Sequence, residues 1–195
     1  ALLAQPGRIS IAFPRRALLY RAPALKSRSR SPWLTVLVLA GAATQAAYGA
    51  DGGERINFFD DPFFQVSSGL ADCPVPLGPL YTAAEVREQM HSRLERGTSC
   101  WLAGRCKDSN AYRYDKAIAP EVRKALSAVP GLRRSSVWVT IQRRWVYLQG
   151  CVPTREMAKR LESAAHAVPD VETVVPDLMV GTRGKPPYQR RTTNE

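Results

Sequence analysis

The chain has 195 residues, enough for one domain with accessory segments. A formal net charge of +11 and a pI of about 10.0 invite a nucleic-acid partner, but the charge is unevenly spread. Residues 1–49 hold seven basic side chains and no acidic one, leaving 21 basic against 17 acidic residues elsewhere, which argues against nucleic acid.

In chain order, a basic stretch ending Lys26-Ser-Arg-Ser-Arg30 precedes the apolar run Trp33–Ala40 and small residues up to Gly49. That order predicts a secretory signal over 1–49, cleaved near residues 46–50. The apolar run is shorter than the roughly 20 residues that span a bilayer. An uncleaved anchor and an organelle transit peptide are the alternatives, and residues 1–25 are a candidate for sequence ahead of the true start. Four cysteines follow, Cys73, Cys100, Cys106 and Cys151. An even number in an exported chain predicts two disulfides, with three pairings open. The spacing of Cys100 and Cys106 is not a zinc motif and no histidine stands at ligand spacing, so no metal site or cofactor is expected.

Residues 50–114 read as an N-terminal extension. Positions 50–80 are rich in Gly, Pro and Asp and lack a helical period, which predicts irregular structure. Phe58, Phe59, Phe63 and Phe64 crowd seven positions, and such a segment is expected to dock on the protein's own surface. Thr82-Ala-Ala-Glu85 is a capping-box pattern that opens a helix over about 83–96, with Gly97 as its stop. The stretch from Cys100 to Cys106 reads as a loop.

Residues 115–181 form the main module. Ile118, Val122, Ala125, Leu126 and Val129 keep helical spacing until Pro130-Gly131. Pro120 would remove a hydrogen bond deep in a helix, so the regular helix is expected to start there, with Ile118 in a lead-in turn. Two strands follow around Arg143-Arg144. Their alternation sets Val137, Val139, Ile141, Val146, Leu148 and Gly150 on one face, and Trp138, Thr140, Gln142, Trp145, Tyr147 and Gln149 on the other. Pairing Ile141 with Val146, Val139 with Leu148 and Val137 with Gly150 satisfies this. Arg-Arg suits a two-residue primed turn poorly, so a four-residue loop is expected. Pro153-Thr154 opens a helix with Met157, Leu161, Ala164, Ala165 and Val168 on its apolar stripe. A last strand spans about 173–180, and Pro176 places it at a sheet edge or a bulge. Residues 182–195 read as a disordered tail.

These residues resemble the BON family. The resemblance covers residues 115–181 and rests on Asp115, Ile118, Val122 and Leu126, and on Val146-Tyr-Leu-Gln-Gly150-Cys-Val152. Ala158 with Leu161, and Val171, Val174 and Asp177-Leu178-Met-Val180, complete it. Gly150, closing the second strand, is the most telling match. The resemblance implies an α+β fold, a two-layer αββαβ module with a three-stranded mixed sheet and two helices on one face. The extension would then be mostly irregular and disulfide-tethered, with one helix. It further implies a non-enzymatic role on an exported envelope protein of Gram-negative bacteria, in the periplasm or at the outer-membrane periphery. One copy is present where many members repeat the domain, and no ligand motif is carried over.

With helices over the valine face, Trp138, Trp145 and Tyr147 must meet water, a partner or the extension. Cys151 continues their alternation, so a bridge to an upstream cysteine would tether the extension over them, and Cys73–Cys151 with Cys100–Cys106 is the preferred pairing. If the face stays open, Arg133, Arg134, Arg143 and Arg144 rim an aromatic surface suited to anionic phospholipid. Docking of an envelope protein, as a scaffold in envelope assembly or stress protection, is the alternative. His91 and His166 fall in no catalytic spacing, and no enzyme is expected.

Overall fold

The computed structural model describes residues 53–191; the predicted signal segment and the last four residues lie outside them. Four strands and three helices follow in the order β1 (Phe63–Ser68), α1 (Ala83–Leu102), α2 (Asp115–Ser127), β2 (Ser136–Gln142), β3 (Trp145–Val152), α3 (Arg155–His166) and β4 (Thr173–Val180). The sheet order is β1-β2-β3-β4, with β1 and β3 antiparallel to β2 and β4 parallel to β3.

The αββαβ order holds for α2 to β4, and the core lies between the sheet and the pair α2 and α3. Val137, Val139, Ile141, Val146 and Leu148 are fully buried against Val122, Leu126, Met157 and Leu161. The hairpin register is the one that alternation requires, Ile141 opposite Val146 and Val137 opposite Gly150. Gly150 has φ +132°, and a Cβ there would stand 2.1 Å from the Ser136 carbonyl oxygen, so the close approach of β2 demands glycine.

The sheet has four strands rather than three. The additional strand, β1, comes from the phenylalanine-rich segment expected to be irregular. Phe64 and Val66 pack on the core while Phe63 lies against Gly78 on the opposite face, so both faces carry apolar side chains. A register shift between Gln65 and Ser67 then breaks the period. Neither feature yields the alternation by which a strand is recognised.

Helix α1 runs six residues beyond its expected end at 96. Gly97 is buried within it, and a Cβ there would meet the Asn110 side chain at 2.7 Å; the residue admits a close neighbour and does not stop the helix. The stop is Gly104, at φ +67°, where the Gly104 and Arg105 amides donate to the Trp101 and Cys100 carbonyls. The capping box at the other end forms, with Thr82 and Glu85 exchanging hydrogen bonds.

Helix α2 starts at Asp115, five residues before Pro120. A 3-10 turn over Ala111–Tyr114 leads into it, and the carbonyl that Pro120 leaves without a helical donor belongs to exposed Lys116, within reach of water. The tail also departs from expectation: Tyr188 is buried at 8% exposure, its hydroxyl donates to the Pro74 carbonyl, the Leu77 amide donates to the Gln189 carbonyl and the Arg191 amide to the Val75 carbonyl.

Two disulfides, Cys73–Cys151 and Cys100–Cys106, are the pairs preferred from sequence. The first bridges residues 78 apart, the second only 6. Loop-closure entropy assigns about 4 kcal/mol to the long bridge and about 2 kcal/mol to the short one. Replacing Cys73 and Cys151 by serine should therefore lower the urea midpoint more than the same change at Cys100 and Cys106.

Candidate functional site

The outer sheet face was the predicted place to look, and the structure covers much of it. Trp138, Trp145 and Tyr147 are all half-buried, and none ranks among the exposed large apolar residues. Gly78, Pro79 and Tyr81 stand beside Tyr147 and Gln142, Phe63 lies against Gly78, and Cys73 ties its segment to Cys151 at the end of β3. A cleft of about 220 Å³ remains, lined by Gly78, Pro79, Tyr81, Thr140, Gln142, Tyr147 and Gln149. The four phenylalanines divide between roles. Phe63 lies on the outer face, Phe64 packs on the core, Phe59 meets Tyr81 edge-on, and Phe58 is 53% exposed.

The arginine rim is not one patch. Arg133 and Arg134 precede β2, and Arg143 and Arg144 follow it, so seven strand residues at about 3.3 Å each put the pairs roughly 20 Å apart. At the turn end, cations and aromatics stand together: the Arg143 guanidinium lies 3.8 Å from the Trp145 ring centre, and Arg144 lies 5.2 Å from that of Tyr114. Arg133 and Arg134 are exposed at the other end of the sheet.

The turn itself corrects the longer loop expected from sequence. It has two residues, Gln142 pairs with Trp145, and Arg143 and Arg144 take φ of +49° and +69°. Both angles belong to a primed turn, which costs roughly 1–2 kcal/mol per non-glycine residue. The compensation comes from a distant residue. The Asp115 carboxylate accepts the Arg143 amide at Oδ2 and the Arg144 amide at Oδ1, each at 2.7 Å. Arg144 is held further by donating Nε–H to the Asp170 carbonyl and accepting the Glu172 amide.

A second carboxylate docks the extension onto this end. Buried Asp61 takes both guanidinium nitrogens of Arg93 on α1, at 2.8 and 2.6 Å, and accepts from the Gln142 side chain at 2.7 Å. Arg93 is sandwiched between Phe59 and Tyr112, 4.2 and 3.7 Å from their ring centres. Asp61 and Arg93 carry no short-range sequence signal, being 32 residues apart; only the fold brings them together.

Residues 114–182 match the family model of the BON domain. This module is a BON domain. No curated protein and no solved structure matches the chain. BON domains are associated with phospholipid or protein binding and are generally non-catalytic.

Around this BON domain the described residues contain no group of three or more His, Cys, Asp or Glu able to hold a metal ion. No described helix is long and apolar enough to cross a membrane. His91 makes an exposed i,i+4 contact with Glu95 at 3.2 Å, and His166 ends α3, where a cation suits the helix dipole.

Burial pushes the Asp115 carboxyl up to about 7, against the opposing pull of its two amide donors. Its folded value thus exceeds its ordinary 3.8, and folding takes up a proton between those limits. The linked stability is fully present below about 4 and is lost as pH rises through about 7. Asp115→Asn should cost about 1–3 kcal/mol, because its amide turns a donor toward one turn N–H. Urea unfolding should also show the stability gap between wild type and Asp115→Asn widening as pH falls from 8 to 5.

Proposed function

We propose that the protein is a non-enzymatic protein of the periplasm or outer-membrane periphery that binds anionic phospholipid surfaces. The BON domain carries this reading, and the Arg143–Trp145 stack supports it: a cation lies on an amphipathic ring, both half-buried, at one end of the sheet. Trp and Tyr suit the bilayer interface and Arg the anionic headgroups, each cation contributing about 1 kcal/mol near such a surface. The turn end offers both chemistries, whereas among the described residues no aromatic ring lies under Arg133 or Arg134, whose neighbours are aliphatic. The turn end is therefore the headgroup-binding edge.

Vesicle flotation tests the reading. The full chain should float with vesicles containing phosphatidylglycerol, release them as salt rises, and ignore vesicles of phosphatidylcholine alone. Failure to float with either rejects lipid and leaves the scaffold reading, docking of an envelope protein. The double variant Arg143→Asn/Arg144→Gly removes two cations yet fits the turn better than arginine does. It should weaken binding by more than tenfold without loss of fold, as judged by circular dichroism.

A further inference from the structure

Beyond β4 the chain returns to the extension and closes over one of the two disulfides. Gly181 and Gly184 take φ of +73° and +114°, angles open to glycine, before the chain reaches Tyr188. Residues 189–191 then lie antiparallel to residues 75–77. The Leu77 amide donates to the Gln189 carbonyl at 2.8 Å, the Arg191 amide donates to the Val75 carbonyl at 2.9 Å, and Pro76 faces Arg190. The Tyr188 hydroxyl donates to the Pro74 carbonyl at 2.7 Å, and its oxygen stands 3.9 Å from Cys73 Sγ. Burial pushes that hydroxyl up to about 12, so it keeps its proton, and its role as donor, throughout the neutral range.

Thiol–disulfide exchange needs an incoming thiolate to touch one of the two sulfurs. Cys73 is 5% exposed and Cys151 is fully buried, so the long bridge offers neither while the tail is docked. On one side of Cys73 Sγ stands the Ser136 carbonyl oxygen, at 3.8 Å. That side is the backbone of β2, which is paired to β1 and to β3 and cannot move without breaking the sheet. Tyr188 covers the same sulfur from a segment outside the sheet, held by far fewer hydrogen bonds, so this part of the cover opens at the lower free energy. The short bridge has no such cover. Cys106 is half-buried, and residues 101–105 beside it are all exposed.

We propose that residues 184–191 are a strap that gates the redox state of the Cys73–Cys151 bridge, keeping thiols away from it when docked and exposing it when lifted. Reduction is therefore ordered. A dithiol reductant first attacks Cys106 Sγ through one thiolate, and Cys100 leaves as a thiolate that takes up a proton. The second thiol of the reductant then attacks its own sulfur in the mixed disulfide, which frees Cys106 and leaves the reductant as a disulfide, two electrons having passed to the protein. That step releases the loop after α1 while the extension stays tethered to β3. The same exchange at Cys73 follows only when Tyr188 leaves Pro74, and it then unties the extension from the BON domain. Cys73 and Tyr188 lie outside residues 114–182 and Cys151 lies within them, so the gate controls how the flanking chain is held to that domain. The inference is independent of the lipid reading.

Timed reduction of the full chain by dithiothreitol in the absence of denaturant, with alkylation of the freed thiols and peptide mapping by mass spectrometry, reads each bridge separately. Cys100 and Cys106 should be alkylated first, and Cys73 and Cys151 at least about tenfold more slowly, because the strap must open before each attack. Tyr188→Ala should speed reduction of the long bridge by about tenfold and leave the short bridge at its wild-type rate, since it removes the donor and the ring over Cys73. Amide hydrogen exchange at Val139 and Val146 of the oxidised variant, without reductant, should match wild type, which shows that the strap lifts while the core stays folded. Equal reduction rates for the two bridges in wild type overturn the inference, as does a long-bridge rate that Tyr188→Ala leaves unchanged. A faster long-bridge rate matched by equally faster exchange at Val139 and Val146 assigns the effect to global unfolding and overturns it too.

Discussion

The Asp115 carboxylate takes the amide protons of both Arg143 and Arg144, and through them joins the start of the first module helix to the tip of the hairpin. That contact has consequences in both directions. It permits two arginines to hold left-handed backbone angles that Asn-Gly would adopt more readily. It also pins α2 over the sheet, so Val122 and Leu126 meet Val137, Val139 and Ile141 with no exposure. The tight turn, in turn, keeps the β2–β3 register, and register decides which face is core. A slip of one residue would send the tryptophans under the helices and the valines into the extension.

On its other face the sheet is managed by the chain outside the BON domain. The disulfide from Cys73 to Cys151, the antiparallel strand β1 and the return of Tyr188 onto Pro74 hold the extension and the tail over that surface. A small α+β module buries a limited core, and cross-links and extra strands offset this. β1 also shields one open edge of the hairpin. The opposite edge is β4, where Pro176 interrupts the row of donors available to another strand.

Asp61 performs for the extension what Asp115 performs for the turn. It is buried, it neutralises Arg93, and it binds Gln142 at the end of β2. A buried pair of this kind is most costly when broken by removing one partner, since the other charge is then left without compensation. Through it α1 has a fixed place beside the hairpin turn, which makes the helix a rigid platform.

The order of helices and strands in the BON domain and the inward set of hairpin residues were legible in the chain, whereas Gly150 stood out only through the family resemblance and its necessity rests on the Ser136 carbonyl of the neighbouring strand. The legible features follow from periodicity, which is a local property. The spacing of 3.6 and 2 residues reports which side chains share a face without knowing what lies opposite. Other features needed the tertiary structure. β1 carries apolar side chains on both faces and a bulge, so its alternation is too short to read. Gly97 looks like a helix stop until Asn110 is seen against it, and Gly104 performs that role instead. The Arg143-Arg144 turn looks wrong because the carboxylate that compensates it lies 28 residues upstream. Arginines that are close in type proved to stand at opposite ends of a strand, and the aromatic face proved mostly covered. In each case a residue's role depends on a partner distant in sequence, and only chain folding decides which distant groups meet.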